Sequence, residues 1–239
     1  MITTAVIMAA GMGTRFGAMT EECPKGFIEA GGKAMVVRSI ETLISCGIRR
    51  VIIGTGYLHQ CYDRLAHSFP QIECCLSDRF AETNSMYTLY QCRQVVGDDD
   101  FILLESDLVF ERRAITALQN CPHPDVMLIT PVTKFQDQYY VEADERGMLS
   151  RCSVNKEELR AKGELVGIHK LSNIFYRKMC ADYAGKLESQ PKLGYEYELL
   201  SMSREVSPVY VLCEEGLMWY EIDDTADLQY AEDHIIKYL

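Results

Sequence analysis

Short apolar, β-rich runs alternate with amphipathic segments over the first half of the chain, and this alternation limits the folds open to it. The segments between the runs predict helices, one in AMVVRSIETLISCG with Gly47 at its end and one over residues 86–96. Strands that alternate with helices in this way are typical of an α/β fold, in which crossover helices connect parallel strands. The apolar runs that predict strands lie at residues 5–8, 51–53, 72–75, 101–104 and 126–129.

From about residue 139 the pattern changes, because strand-like segments follow one another without helices between them. YYVEAD, the turn ERG and MLSRCSV predict a hairpin, and ELVGIHKLSNIFY contains a further strand. PVYVLCEEGLMWYEI predicts a second hairpin, whereas YEYELLSMSREV and the final DTADLQYAEDHIIKYL predict helices. No repeat or low-complexity linker divides the chain, so we expect one domain over residues 1–239.

The charge of the chain favours a small ligand. The sequence has 24 basic and 35 acidic residues and a net charge of −11, whereas proteins that bind nucleic acid or anionic membranes without specificity rely on basic patches. No apolar run approaches the roughly 20 residues that cross a bilayer, and no basic segment followed by a long apolar one opens the chain. We therefore expect a cytoplasmic protein that binds neither nucleic acid nor membrane.

The cysteines predict reduced thiols and not cross-links. The ten cysteines are spaced singly, apart from Cys74 and Cys75, in a chain long and apolar enough to form a core without disulfides. We expect most of these thiols to be buried. The sequence contains no CxxC, no HExxH and no close pair among its five histidines, so a zinc site has little support.

A glycine-rich turn, VIMAAGMGTRFG at residues 6–17, directly follows the first predicted strand. Its glycines allow a sharp turn and the close approach of a phosphate. A dinucleotide site is disfavoured because the strand at residues 51–53 runs into GTG and not into an acidic residue, and a P-loop would need GKS or GKT. Arg15 in the turn and Lys25 in CPKG are each more simply explained as solvated loop charges. Together they suit a nucleoside triphosphate and its departing pyrophosphate.

The segment AAGMGTRFG followed by CPKG resembles the N-terminal motif of nucleotidyltransferases that activate phosphate monoesters with a nucleoside triphosphate. The resemblance implies an Mg²⁺ site held by Asp107 in FILLESDLVF and Asp223 in WYEIDDTADL. Both aspartates follow apolar strand candidates, as expected for the crevice at the carboxyl ends of an open α/β sheet. Glu105 and Glu221 are reserve candidates for the metal site, and Asp224 is expected to cap the last helix.

A closer similarity is to the small cytidylyltransferases that form CMP-2-aminoethylphosphonate or CDP-choline, since AAGMGTRFG, PKG, SDRFAETNSMYTLY, ESDLVF and YEIDDTADL keep their order and spacing. It implies a Rossmann-like, mixed and mostly parallel sheet flanked by helices, of the nucleotide-diphospho-sugar transferase type, with an inserted β-hairpin region for the acceptor. The nucleotide-binding half would be residues 1–135 and the acceptor-binding half residues 136–239.

The same similarity implies a magnesium-dependent transfer of CMP from CTP to 2-aminoethylphosphonate, with release of pyrophosphate, by in-line attack without a covalent intermediate. Arg15 and Lys25 would be the catalytic cations. Ser85 is explained about as well by a helix N-cap as by contact with the base. The implied nucleotide-binding residues are Ala9, Ala10, Gly11, Met12, Gly13, Thr14, Asn84, Ser85 and Ser106.

The acceptor is expected to bind to the second half of the chain, where aromatic and acidic residues lie close together in sequence. A quaternary ammonium such as choline favours an aromatic cage, for which Tyr197 and Trp219 are available, whereas a primary ammonium can donate hydrogen bonds to carboxylates such as Glu196. Tyr195 and Glu198 share a helical face, which favours 2-aminoethylphosphonate. The candidate acceptor residues are Lys134, Asp144, Asn173, Tyr195, Glu198 and Trp219, with Lys134 and Asn173 assigned to the phosphonate.

Three alternatives stay open at this point: a phosphocholine cytidylyltransferase, a sugar-1-phosphate nucleotidyltransferase, and a regulatory nucleotide-binding domain without catalysis. The sugar enzyme would need a set of polar side chains for hydroxyl groups. The regulatory domain would have no need for Arg15, Lys25, Asp107 and Asp223 together. We expect CTP, Mg²⁺ and a small aminated phosphonate or phosphate as partners, and leave open whether the protein forms a homodimer.

Overall fold

The computed structural model describes residues 2–133 and 138–239, and its elements follow the alternating pattern of the sequence. The strands are β1 (Thr4–Ala9), β2 (Glu29–Ala30), β3 (Lys33–Ala34), β4 (Arg50–Thr55), β5 (Ile72–Leu76), β6 (Phe101–Glu105), β7 (Leu108–Phe110), β8 (Val126–Thr130), β9 (Tyr140–Ala143), β10 (Leu149–Ser153), β11 (Gly163–Leu171), β12 (Tyr210–Cys213) and β13 (Trp219–Glu221). The α-helices are α1 (Met35–Ser45), α2 (His59–Ala66), α3 (Ser85–Gln91), α4 (Arg93–Val96), α5 (Arg113–Asn120), α6 (Asn173–Lys186), α7 (Tyr195–Glu205) and α8 (Thr225–His234).

A nine-stranded sheet forms the centre of the described structure. Its main path runs β10-β9-β11-β6-β1-β4-β5, and β8 joins β11 and carries β12 on its other side. The strands β6, β1, β4 and β5 are mutually parallel, whereas β11 runs antiparallel to β6 and β8. Two short sheets, β13 with β7 and β2 with β3, lie outside it. This is the mixed sheet expected from the sequence.

The two faces of the sheet bury separate apolar cores, because successive side chains of a strand point to opposite faces. In β1, Val6 and Met8 join one core, which helices α3, α6 and α7 cover. Ile7 belongs to the other core, against α1 and α5. The resulting arrangement has helices on both faces of the sheet, so the carboxyl ends of β1 and β6 are free of covering helices and open to a cleft.

Most of the predicted elements are present. All five strand candidates of the first half form strands, residues 140–153 form an antiparallel hairpin, and helices occupy the segments predicted for α1, α7 and α8. Asp224 caps α8, since its Oδ1 accepts hydrogen bonds from the backbone N–H groups of Ala226 at 2.8 Å and Asp227 at 2.9 Å. The cap confirms the role predicted for Asp224.

Three local predictions are wrong. The hairpin predicted in PVYVLCEEGLMWYEI does not form, because β12 pairs with the open edge of β8 and β13 pairs with β7. The helix predicted over residues 86–96 is present as two consecutive helices, α3 and α4, but its N-cap is Asn84 and not Ser85. All ten cysteines are free thiols, but only Cys46, Cys92, Cys152 and Cys180 are buried.

Candidate active site

Two adjoining cavities open at the carboxyl ends of β1 and β6. The wider one has a volume of about 780 Å³, within the range of about 300–1,000 Å³ that is usual for small-molecule sites. Of the residues predicted from the sequence, the narrower cavity is lined by Ala9, Ala10, Gly11, Lys25, Asn84, Ser85, Ser106, Asp107 and Tyr195. The wider cavity is lined by Gly11, Gly13, Thr14, Arg15, Lys25, Asn84, Ser85, Asp107 and Asp223. Met12 is 45% exposed and lies outside both sets of lining residues.

The glycine turn packs against Lys25, the lysine of the CPKG segment. Gly13 adopts a left-handed conformation with φ of 62°, and a Cβ atom there would lie 3.0 Å from the Cβ of Lys25 and 3.1 Å from the Cγ2 of Thr20. The Thr20 hydroxyl also donates a hydrogen bond to the carbonyl of Gly13 at 3.1 Å. Glycine is required here for both conformation and space, and the turn thereby supports the stem of the Lys25 side chain.

Lys25 bridges the two aspartates that the resemblance singled out. Its Nζ lies 2.5 Å from Oδ2 of Asp107 and 2.5 Å from Oδ1 of Asp223, and Nη2 of Arg15 lies 2.7 Å from the same Asp223 oxygen. Burial alone would lower the pKa of Lys25, but the two carboxylates outweigh it and raise that pKa above its usual value. Lys25 is therefore a permanent cation at the centre of the cleft, whereas the side chain of Arg15 is 56% exposed at its rim.

An acidic cluster lies beside this ion pair. Oxygen atoms of Glu105, Asp107 and Glu221 all lie within 4.8 Å of one another. Burial, and after it the negative charges of Glu221 and Asp107, raise the pKa of Glu105 well above its ordinary value. Crowded carboxylates of this kind are stabilised when a cation binds between them.

The donor set of the cluster fits a magnesium ion, which the resemblance implies. Mg²⁺ prefers carboxylate oxygens, and Oδ1 of Asp107 is buried with no hydrogen-bond partner among the described residues. Asp223 lies outside the cluster and contacts Lys25 and Arg15. The two reserve candidates, Glu105 and Glu221, thus form a candidate metal site with Asp107, whereas the sequence indicated Asp223 as the partner of Asp107.

The wall opposite the glycine turn is built by the first residues of α3 and α7. The backbone N–H of Tyr195 donates to Oγ of Ser85 at 3.0 Å, and Nδ2 of Asn84 donates to the carbonyl of Lys192 at 3.2 Å. Oδ1 of Asn84 accepts from the backbone N–H of Ser85 at 2.8 Å. These bonds tie the two helix starts together and hold the polar side chains of Asn84 and Ser85 at the narrower cavity.

The structure brings Tyr195 to this cleft but places four other predicted acceptor residues elsewhere. Glu198 is 1% exposed and faces α6, where Oε2 accepts a hydrogen bond from Nζ of Lys186 at 3.0 Å. Trp219 is buried in the core against α1 and α5, and its Nε1 donates to Oγ1 of Thr130 at 3.0 Å. Neither side chain is among the residues that line the two cavities.

The other two displaced residues have structural partners. Asn173 begins α6 beside the start of β6, at the opposite end of the sheet from the cleft, and its Nδ2 donates to the carbonyl of Gly97 at 2.7 Å. Oδ1 of Asp144 accepts from backbone N–H groups within the turn between β9 and β10. We therefore leave Asn173, Asp144, Glu198 and Trp219 out of the proposed site. Lys134, also predicted to contact the acceptor, lies outside the described residues.

Glu196 is a cleft residue that the sequence reasoning named but did not select. It is 7% exposed, lines the wider cavity, and has no side-chain ion pair or hydrogen bond to another side chain among the described residues. Gln138 and Tyr139 line the same cavity, and Nε2 of Gln138 donates to Oε2 of Glu221 at 3.0 Å. Tyr139 is the first residue of YYVEAD, Gln138 directly precedes it, and Glu196 lies within YEYE, but none of the three belongs to a motif that indicates a binding role.

Comparison with known proteins places these features in a family. A family model described as the MobA-like NTP transferase domain matches residues 5–201. The chain is 31% identical over 107 residues to a 2-aminoethylphosphonate cytidylyltransferase from Lancefieldella rimae, which covers 45% of this chain and 44% of that protein. It is 36% identical over 94 residues to a choline-phosphate cytidylyltransferase from Streptococcus pneumoniae, covering 39% of this chain and 41% of that protein.

The chain thus spans less than half the length of either of these relatives in the matched region. The solved structure of a CTP:phosphocholine cytidylyltransferase from Streptococcus pneumoniae superimposes with a TM-score of 0.79 at 21% identity, covering 97% of this chain and 99% of that chain. This likeness shows the fold and confirms the predicted fold class. Within the described residues, no helix has the length and apolar character needed to cross a membrane.

Proposed function

Because the chain belongs to the family of MobA-like NTP transferase domains, we propose that it transfers CMP from CTP to a small aminated phosphonate, with 2-aminoethylphosphonate as the acceptor and pyrophosphate as the second product. The activities for which the two cytidylyltransferase relatives are named support cytosine as the base and an aminated acceptor. Phosphocholine is the alternative acceptor, which Tyr139 in the wider cavity favours as an aromatic partner for a quaternary ammonium.

The observation that carries the proposal is the position of Lys25. It is a largely buried cation, with its side chain 12% exposed, between Asp107 and Asp223 and next to a glycine turn whose backbone can approach phosphate closely. The two aspartate oxygens are at most about 5 Å apart, twice the 2.5 Å that separates each from Nζ. If CTP and a divalent cation bound here, Lys25 could contact the phosphates and the two aspartates could contact the cation, in place of the ion pairs that they form with each other. This arrangement suits a site that binds a charged substrate and releases a charged product.

The proposed reaction needs positioning and charge stabilisation, and no protein nucleophile. An ionised phosphonate oxygen of the acceptor attacks the α-phosphorus of CTP, and the bond from that phosphorus to the bridging oxygen of pyrophosphate breaks. Lys25 and Arg15 would neutralise the phosphates and the departing pyrophosphate. Asn84 and Ser85 would contact the base, where small polar groups can read the cytosine edge.

The implied metal would be held by Asp107 and Asp223, the ligands that the resemblance gives, together with Glu105 and Glu221 from the observed cluster. When bound, Mg²⁺ supplies charge neutralisation and orientation at the α-phosphate. Glu196, buried and without a cation, supports an acceptor that carries an ammonium group, because a buried carboxylate gains most from a charged hydrogen-bond donor.

The test is a substrate matrix. The purified chain is incubated with Mg²⁺, each of the four nucleoside triphosphates, and 2-aminoethylphosphonate, phosphocholine or glucose 1-phosphate, and pyrophosphate release is measured. We expect release with CTP and 2-aminoethylphosphonate. Release with phosphocholine alone would select the alternative acceptor, and release with glucose 1-phosphate or from no pair would contradict the proposal.

A matched pair of lysine variants tests the role of the central cation. We expect Lys25→Met to lower kcat on the order of 100-fold or more, because it removes a preorganised charge from the phosphates. Lys33→Met is the control, since Lys33 pairs with Glu41 on the surface and its side chain is 43% exposed. Equal rates for the two variants would exclude Lys25 from the reaction.

A further inference from the structure

A buried line of polar side chains runs from the acidic cluster into the core. The hydroxyl of Tyr195 donates to Oε1 of Glu105 at 2.7 Å, and the same hydroxyl lies 3.2 Å from Nε2 of His169. Tyr195 and His169 are both fully buried. Buried polar groups require partners, so each member of the line constrains the position of the next.

The direction of the two hydrogen bonds follows from the donors available. Burial lowers the pKa of His169 to about 3, so the imidazole is neutral and carries one N–H. Its Nδ1 is buried with no partner among the described residues, and an unpaired acceptor there costs less than an unpaired N–H. The proton therefore belongs on Nε2, which donates to the Tyr195 oxygen, and Tyr195 in turn donates to Glu105. Both bonds point toward the carboxylate.

The strand that carries His169 has an irregular stretch next to the side chain of Glu105. The pairing of β11 with β8 shifts register between Leu165 and His169, and Gly167, within that interval, has φ of 76°. A Cβ at Gly167 would lie 3.3 Å from the carboxyl carbon and Oε2 of Glu105. The irregular stretch of β11 thus leaves room for the carboxylate on one side, while Tyr195 holds Oε1 on the other.

One feature of the acidic cluster indicates that it can bind a cation. Oδ1 of Asp107 is buried without a hydrogen-bond partner among the described residues, and carboxylate oxygens of Glu105 and Glu221 lie within 4.8 Å of the Asp107 carboxylate. We propose that Tyr195 and His169 are positioning residues, which hold Glu105 in the orientation needed to bind a divalent cation together with Asp107 and Glu221. The idea rests on the proposed function for the presence of a metal, and adds the residues that prepare its site.

The test measures metal binding in the absence of nucleotide. Mn²⁺, a spectroscopic substitute for Mg²⁺, is titrated into the purified chain, and free Mn²⁺ is followed by electron paramagnetic resonance. We expect Tyr195→Phe to weaken Mn²⁺ binding by roughly 10- to 100-fold, the usual effect of removing a partner that orients a metal ligand. Tyr183→Phe is the matched control, because Tyr183 is also fully buried but its hydroxyl has no partner among the described residues. It should leave Mn²⁺ affinity unchanged.

A second pair of variants separates positioning from folding. The amide of His169→Gln can still donate to Tyr195 and should retain more Mn²⁺ affinity than His169→Leu, which cannot donate. Thermal unfolding in the presence of a chelator reports whether each variant is folded. Equal Mn²⁺ affinity in Tyr195→Phe and the parent protein, equal losses in Tyr195→Phe and Tyr183→Phe, or no saturable Mn²⁺ site in the parent protein would overturn the inference.

This readout is independent of the substrate matrix. Loss of Mn²⁺ affinity in Tyr195→Phe, with no pyrophosphate release from any substrate pair, would support the positioning role and reject the proposed function. Pyrophosphate release from CTP with unchanged Mn²⁺ affinity in Tyr195→Phe would do the reverse. In an active enzyme we also expect Tyr195→Phe to raise the Mg²⁺ concentration needed for half-maximal rate more than the KM for CTP.

Discussion

At the scale of single residues, neighbouring carboxylates on α7 have different environments. Glu196 faces the wider cavity, whereas Glu198 packs against α6, near Lys186 and Asp182. Burial, and after it a hydrogen bond to Asp182, raise the pKa of Glu198 to about 7, although Lys186 acts in the opposite direction. Glu198 is therefore packed between helices and titrates near neutral pH, and it is absent from the residues that line the two cavities.

This raised pKa predicts how stability depends on pH. The folded state holds the Glu198 proton more tightly than the unfolded chain does, so the contribution of Glu198 is complete below its unfolded pKa and is lost as the pH rises through about 7. Between pH 5 and 8 we expect the free energy of unfolding of the parent protein to fall by about 2 kcal/mol relative to Glu198→Gln. Urea unfolding at both pH values measures the difference. Glu205→Gln, on the exposed end of α7, should keep the parent slope; a parent slope in Glu198→Gln would refute the assignment.

At the scale of elements, the motifs that follow strands directly are the ones whose positions could be predicted. The glycine turn leaves β1 and the ESD segment ends β6, and the register that pairs Met8 with Glu105 brings the two together. The segment around β12 and β13 shows the opposite case. Its strands were recognised, but their partners were not, because a local pattern carries no information about which sheet edge is open.

The glycine turn supports a prediction about the element as a whole. Gly13→Ala combines a left-handed backbone with crowding against Lys25 and Thr20, so we expect it to lower the free energy of unfolding by about 1–3 kcal/mol and to raise the KM for CTP. Gly32→Ala is the control, because Gly32 has φ of 73° but open space around its Cβ position. It should show the backbone strain alone and leave the KM for CTP unchanged. Equal effects of the two substitutions on stability and KM would show that the crowding at Lys25 has no consequence.

At the scale of the whole molecule, the candidate site joins residues that are remote in sequence. Lys25 contacts Asp107, 82 positions away, and Asp223, 198 positions away. The contacts form because β1, β6 and the segment after β13 all end at the same cleft. The resemblance to nucleotidyltransferases inferred from these scattered motifs is confirmed by the family model, which matches residues 5–201.

Asp107 also allows the catalytic and the purely binding interpretations to be separated. Asp107→Asn keeps the shape of the side chain but removes the negative charge that pairs with Lys25 and contributes to the acidic cluster. We expect kcat to fall on the order of 100-fold while CTP affinity, measured by calorimetry, changes only a few-fold. Asp233→Asn on the exposed face of α8 should change neither quantity. Loss of CTP binding in Asp107→Asn, in parallel with any loss of rate, would favour a site that only binds nucleotide.

Local patterns in the sequence predicted the α/β class, the strands of the first half and the glycine turn with Arg15 and Lys25, because strand and turn signals are local. The roles of Asp107 and Asp223 were implied by the resemblance to nucleotidyltransferases. The packing of the folded chain was needed to show that Glu196, and not Glu198, faces the cleft, and that Tyr195 and His169 connect the acidic cluster to the core. The direction of a helical side chain toward a site depends on how the whole helix packs against its neighbours, which spacing along the chain cannot specify.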